Sequence, residues 1–311
     1  MRRLFASILR GFAVGFVLLV PSLMLVNVSS DATYFVLISS LLMGFIVFSD
    51  YYNSYPSILE FRDAPPFNRI RFLHGILSVY CVAGVFEDFI FGSGTSNLGQ
   101  VSMFLGRILD FTGSPIDMLM MSIPSDLPKP VYQSIRAAGG VTLGLSLVSI
   151  LAFWAYIKTT NWPVARGQFN VWVNLPMMDP TRGKDLAKRM RRRAQINIGL
   201  GMVCLFAVLI LFKTVSLIFG NTLFQDLIVL IWIIILWGGI PTTMIMRGLA
   251  MARLATEIEK NKCKVQQNRT CRRPSCVAFL TICAQMVRPV SKDSNPRTAR
   301  YEQPFIINFT R

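Results

Sequence analysis

The chain has 311 residues, a formal charge of +16 and a mean hydropathy of +0.49; 53% of the residues are hydrophobic and only 15% are charged. A soluble domain carries about 25% charged residues, so an ordinary globular protein is excluded and the composition is that of the membrane class. Six cysteines in so apolar a chain do not make a secreted disulfide domain.

A helix needs about twenty apolar residues to cross ~30 Å of hydrocarbon, and in lipid its backbone groups must bond within the segment. Six runs qualify. The first covers residues 11–28 and carries Gly11 and Gly15, four residues apart. The opening "MRRLF" resembles a twin-arginine signal, but no A-x-A-like site follows Val28, so the segment is expected to stay as a span. Residues 33–49 form the second run, and residues 72–91 the third. The third contains His74, the only histidine of the chain, near its inner end, and Glu87 and Asp88 at its outer end.

A long loop follows. Within it Leu98, Val101, Leu105 and Ile108 fall near one helical face, and "PIDMLMMSIP" is a second short apolar piece. Both are too short to span, so one or two helices on the outer surface are expected. Residues 137–157 are the fourth run, with Gly140 and Gly144 again four apart.

The next loop contains "QFNVWVNL", which alternates Phe169, Val171, Val173 and Leu175 with Asn170, Trp172 and Asn174. A lone strand has little to pair with, so an extended interfacial segment is expected. Asp179 and Pro180 have the chemistry of an N-cap and a first helical residue, opening a helix that runs into the fifth span, residues 194–212. Arg189, Arg191, Arg192 and Arg193 stand at the head of that span. Residues 227–246 are the sixth, and Pro21 and Pro241 are expected to kink spans one and six. The helical pattern continues to about residue 260. Residues 261–311 then read as a poorly ordered, basic, cysteine-containing tail beyond a six-span membrane domain of residues 1–260. The expected fold is therefore all-α: a polytopic bundle of about six transmembrane helices.

With six spans, all but four of the 32 Lys and Arg residues fall on the side of the two termini; the exceptions are Arg107, Lys129, Arg136 and Lys213. Positive charge stays inside, so both termini are expected in the cytoplasm, at the inner membrane if the cell is bacterial. "RMRRR" is then an anchor to anionic headgroups at the inner face, each basic side chain worth ~1 kcal/mol. Nucleic acid is not an expected partner, because neither interleaved aromatics nor a recognisable fold accompanies the patch. The expected partners are the lipid bilayer and other membrane proteins.

Signatures of catalysis are missing: there is no G-x-x-x-x-G-K-[ST], H-E-x-x-H or G-x-S-x-G. The tail cysteines Cys263, Cys271, Cys276 and Cys283 lack the close pairing of a zinc site, and no metal is expected. A lone His74 has no second axial partner for a haem, so no cofactor is expected and it reads as a hydrogen-bonded interfacial residue. Glu87, Asp88 and His74 are the candidate polar residues; the glycine pairs are candidate helix-packing sites. If spans one and four were equivalent members of two inverted three-helix halves, their glycines would correspond. No carboxylate lies at mid-membrane, which argues against an ion-coupled pump built from this chain alone. The expected role is a non-enzymatic assembly or scaffold subunit; the alternative is a permease or channel subunit for a small solute.

Overall fold

The computed structural model describes residues 1–26, 30–54, 60–62, 64–92, 94–124, 127–160, 162–163, 168–170, 174–175, 185–219, 224, 226–271 and 306–308. Eight helices occupy most of them: α1 (Arg2–Met24), α2 (Ser30–Tyr52), α3 (Pro65–Ile90), α4 (Asn97–Ile108), α5 (Pro115–Met121), α6 (Lys129–Thr159), α7 (Leu186–Phe219) and α8 (Leu227–Cys271). All but α4 and α5 are long and apolar enough to cross a membrane, six in total. The fold is all-α, and its length and composition are those of a multi-pass membrane protein.

The spans are longer than their apolar middles because helix ends follow capping chemistry rather than hydropathy. Pro65 and Pro66 take the first positions of α3, seven residues before the apolar run. Pro130 does the same for α6, which opens at Lys129 rather than near residue 137. The largest difference is at the end. α8 passes through Pro241 and the expected boundary at residue 260 without a break, and ends at Cys271. Forty-five residues make a rod of roughly 68 Å, more than twice the hydrocarbon thickness. α1 likewise continues past Pro21 to Met24, so neither proline ends its helix. The predicted cap at Asp179 and Pro180 and most of the tail lie outside the described residues. The strand pattern in the inner loop does find a partner: β1 (Gln168–Asn170) pairs antiparallel with β2 (Ile306–Asn308) from the tail.

α3, α6 and α8 form the centre of the bundle, whereas α1, α2 and α7 are more peripheral. One core, around Phe86, Ile135, Val141, Leu209, Ile231 and Trp237, joins them over much of their length. Trp237 is buried and donates its indole N–H to the Leu205 carbonyl at 2.8 Å, tying α8 to α7. A second core lies toward the end where α2 stops and α3 starts, termed the inner end after the expected topology; there Phe61, Phe67, Phe153, Trp162 and Leu175 meet the facing sides of α7 and α8.

Helices touch where side chains are smallest. Gly11 and Gly15 of α1 face α2: a methyl on Gly11 would stand 2.5 Å from the Gly44 carbonyl oxygen, and one on Gly15 3.1 Å from that of Ser40. An open apolar groove of about 360 Å³ runs along this seam between Phe12, Phe16, Leu41 and Phe45. Gly140 meets a different kind of partner, since a methyl there would overlap the backbone of Gly106 on the short helix α4. Gly144 one turn on faces the Leu105 side chain. The two glycine pairs thus serve inequivalent contacts, span to span and span to loop helix, and do not relate two inverted halves.

The sequence places Leu98, Val101, Leu105 and Ile108 near one face of α4. The buried residues are Gly99, Ser102 and Gly106; Leu98 and Leu105 are half-buried, whereas Val101, Phe104 and Ile108 are all more than half exposed. Close backbone approach to α6 favours the small residues at the contact. Ser96 caps α4 by accepting from the Gly99 N–H at 2.9 Å, and the Asp110–Arg136 ion pair (2.6 Å) fastens its other end to α6.

Gly140→Ala is expected to lower stability by about 1–3 kcal/mol, the usual penalty of overpacking. Gly199→Ala, where a methyl meets nothing within 4 Å, is expected to be neutral or stabilising by up to ~1 kcal/mol. Thermal unfolding of the two variants in detergent measures both, and equal shifts would remove the close α4–α6 approach as a determinant.

Candidate functional site

A dense polar structure lies at the end of the bundle where α1 begins and α2 ends, and sequence reasoning missed it. Its base is the turn between α2 and α3. Phe61 sits there fully buried with φ of 57°, a left-handed conformation that bulky residues rarely adopt. The strain is held in place from several sides. The Phe61 N–H donates to the Asn174 carbonyl at 2.7 Å, and the Asn68 amide donates to the carbonyls of Phe61 and Arg62. The Arg62 guanidinium donates to the carbonyls of Asp50 and Asn53, closing the exposed end of α2.

This scaffolding aims Glu60 at α8. Its Oε1 meets Arg247 Nη2 at 2.7 Å, a contact between residues 187 positions apart. Arg193 of α7 stands near enough to act on the same carboxylate. Burial pushes the Glu60 carboxyl above the ordinary glutamate range, and the charges of Arg247 and Arg193 draw it back only in part. Glu60 Oε2 and Arg247 Nε are buried without hydrogen-bond partners. Such groups cost about 1–3 kcal/mol each, so the pair is a clasp held under tension rather than a saturated salt bridge. It joins the α2–α3 turn to the α7–α8 pair and offers one proton-accepting group.

The predicted basic cluster flanks this clasp. Arg191 pairs with Glu259 at 2.7 Å across α7 and α8, both well exposed. Arg192 and Arg193 are exposed, and Arg189 is partly buried. Farther along α8, Arg253 and Lys260 both reach Glu257.

The candidate residues His74, Glu87 and Asp88 are not brought together. They share α3, but His74 is thirteen residues from Glu87, roughly 20 Å along the helix. Asp88 organises the turn into α4: its Oδ2 accepts from the Ser96 hydroxyl at 2.6 Å and the Ser96 N–H at 3.3 Å. Glu87 Oε2 is buried and unpartnered. His74 lies nine residues into α3, which begins at Pro65. It is 4% exposed, packed between α3 and α6, with Nδ1 3.2 Å from the Ser149 hydroxyl and Nε2 without a partner. Among the described residues no three His, Cys, Asp or Glu side chains converge to hold a metal ion.

Glu60 and Arg247 gave no sequence signal, since nothing in a single chain links two charges at opposite ends of it. Phe61 gave none either, because a left-handed phenylalanine follows from its surroundings alone. No family model, curated protein or solved structure matches the chain.

The raised Glu60 value fixes a sign. Its protonated form is favoured by folding, so the contribution is complete below the ordinary glutamate pKa and is lost as pH rises through the raised one. Glu60→Gln is therefore expected to flatten the dependence of melting temperature on pH between the ordinary glutamate pKa and the raised one. Wild-type protein that instead loses stability relative to the variant on acidification would show a carboxylate held down by its arginines.

Proposed function

We propose that the chain is a non-enzymatic scaffold subunit with both termini in the cytoplasm, which holds other membrane components against a basic inner face. The observation that carries this reading is the continuation of α7 and α8 past the length needed to span. Their inner ends pair through Leu186, Met190, Ala250, Leu254 and Ile258, and they carry Arg189, Arg191, Arg192, Arg193 and Arg253 around that apolar seam. A rigid, positively charged helix pair attracts anionic headgroups and offers a fixed surface to a membrane neighbour. The Glu60–Arg247 clasp and the inner aromatic core stiffen it, which is what docking requires and what a moving gate would avoid. If the cell is bacterial, the membrane is the inner one.

A second reading, a permease or channel subunit for a small neutral solute, draws on the buried polar residues His74, Ser149, Ser78 and Thr142 between the central helices. Purification in mild detergent separates the two. A stoichiometric membrane-protein partner is expected, and Arg191→Gln with Arg192→Gln is expected to reduce co-purifying anionic lipid. Solute uptake by the purified chain alone in liposomes would replace the scaffold reading with the second. Reporter fusions at the two ends that respond in different compartments would overturn the topology.

A further inference from the structure

The central helices enclose a line of neutral polar groups that the inner-face site does not use. On α3, His74 and Ser78 are one turn apart on the same face, 4% and 1% exposed. On α6, Ser149, Ser146 and Thr142 form the facing strip, and Thr142 is fully buried. Gly238 of α8 closes the third side: a methyl there would press on Thr142 and stand 3.3 Å from the Ser146 hydroxyl oxygen. α3 and α6 run in opposite directions, so with His74 against Ser149 the line extends outward past Ser78 to Thr142.

Three atoms along it have no partner: His74 Nε2, Ser78 Oγ and Thr142 Oγ1. A helical serine or threonine ordinarily donates to the carbonyl four residues back. Ser146 and Thr242, in the same place, do so at 2.8 Å to the carbonyls of Thr142 and Gly238. Ser78 and Thr142 do not, although the bond is sterically open to the residue type. The imidazole has the same need. With Ser149 at Nδ1, Nε2 must donate or accept according to the tautomer. The Leu145 carbonyl lies beside the ring, yet does not meet Nε2 in hydrogen-bond geometry.

We propose that this α3–α6–α8 seam binds a short file of water between His74 and Thr142. Water supplies donor or acceptor to either histidine tautomer and to both hydroxyls, which no neighbouring side chain does. The groups are neutral, so the file needs no counter-ion. Arg71 lies one turn before His74 on α3, with its guanidinium 5.4 Å from the Phe67 ring centre, so the charge nearest the line is held against an aromatic face. The site belongs to neutral hydrogen-bonding molecules of water size and is independent of the scaffold reading.

X-ray-generated hydroxyl radicals form from bound water and mark the side chains beside it. In the full-length protein in nanodiscs, His74 is expected to oxidise several-fold faster than Phe86, which is as deeply buried in an apolar setting. Thr142→Val keeps the shape and removes a hydroxyl. Together with Ser78→Ala it is expected to slow His74 oxidation several-fold, with the Phe86 rate unchanged as the control for folding. His74 as inert as Phe86 in the wild type would overturn the proposal, as would an oxidation rate indifferent to both substitutions.

Discussion

Inside hydrocarbon a backbone amide has nowhere to bond except along its own helix, and apolar side chains gain nothing by leaving lipid for one another. Six helices follow from the first fact; how they adhere follows from the second. Adhesion depends on how closely two backbones can lie. The contacts bear this out: Gly11 against Gly44, Gly106 against Gly140, Gly201 beside the Pro241 carbonyl and Gly248 beside that of Ala194. These are the points where a methyl would force helices apart. The bulky side chains are free to face outward, as Phe12, Phe45, Phe104 and Leu217 do.

A different rule holds at the inner margin. There Phe61, Phe67, Phe153 and Trp162 pack in one run, the first pair tilted and the next two edge to face, with ring centres 5.1, 5.5 and 6.2 Å apart. This core resembles that of a soluble domain, built from turns and helix ends with ion pairs on its rim. The left-handed Phe61 belongs to it: the aromatic run fixes the ring, and the Asn174 and Asn68 hydrogen bonds fix the backbone. Glu60 inherits its direction from that arrangement. The clasp to Arg247 therefore rests on the packing around Phe61.

What the sequence made legible follows the same division. The six apolar middles were plain, because hydropathy reports the bilayer directly. Their ends were not: Pro65 and Pro130 start helices before the apolar run, and α8 has no stop signal until after Lys260. The short helix α4 was legible from its apolar periodicity, but which of its residues meet α6 was not. Periodicity in large apolar residues marks the buried side in water, but here Gly99, Ser102 and Gly106 are buried while Val101 and Ile108 look out. A search for small residues at that spacing would have found it. Glu60 with Arg247, and Ser149 with His74, join distant parts of the chain and carry no local mark.

The depth of each polar group also limits the chemistry open to it. A charge at the centre of a span costs about 2.5–3.5 kcal/mol on the insertion scale, and the described ion pairs lie near helix ends: Asp110 with Arg136 at one end of the bundle, Glu60 with Arg247 and Arg191 with Glu259 at the other. Between them, among the described residues, α3 and α6 bury an imidazole and hydroxyls, those of His74, Ser78, Thr142, Ser146 and Ser149. Exposed charge lies toward the ends, where Arg191 and Arg192 stand clear of the core. A neutral and small molecule suits the middle of the bundle better than a charged one. Gly238 and Gly140 hold α8 and α4 against α6 too closely for more, and the same glycines that make the bundle adhere set the size of what can enter it.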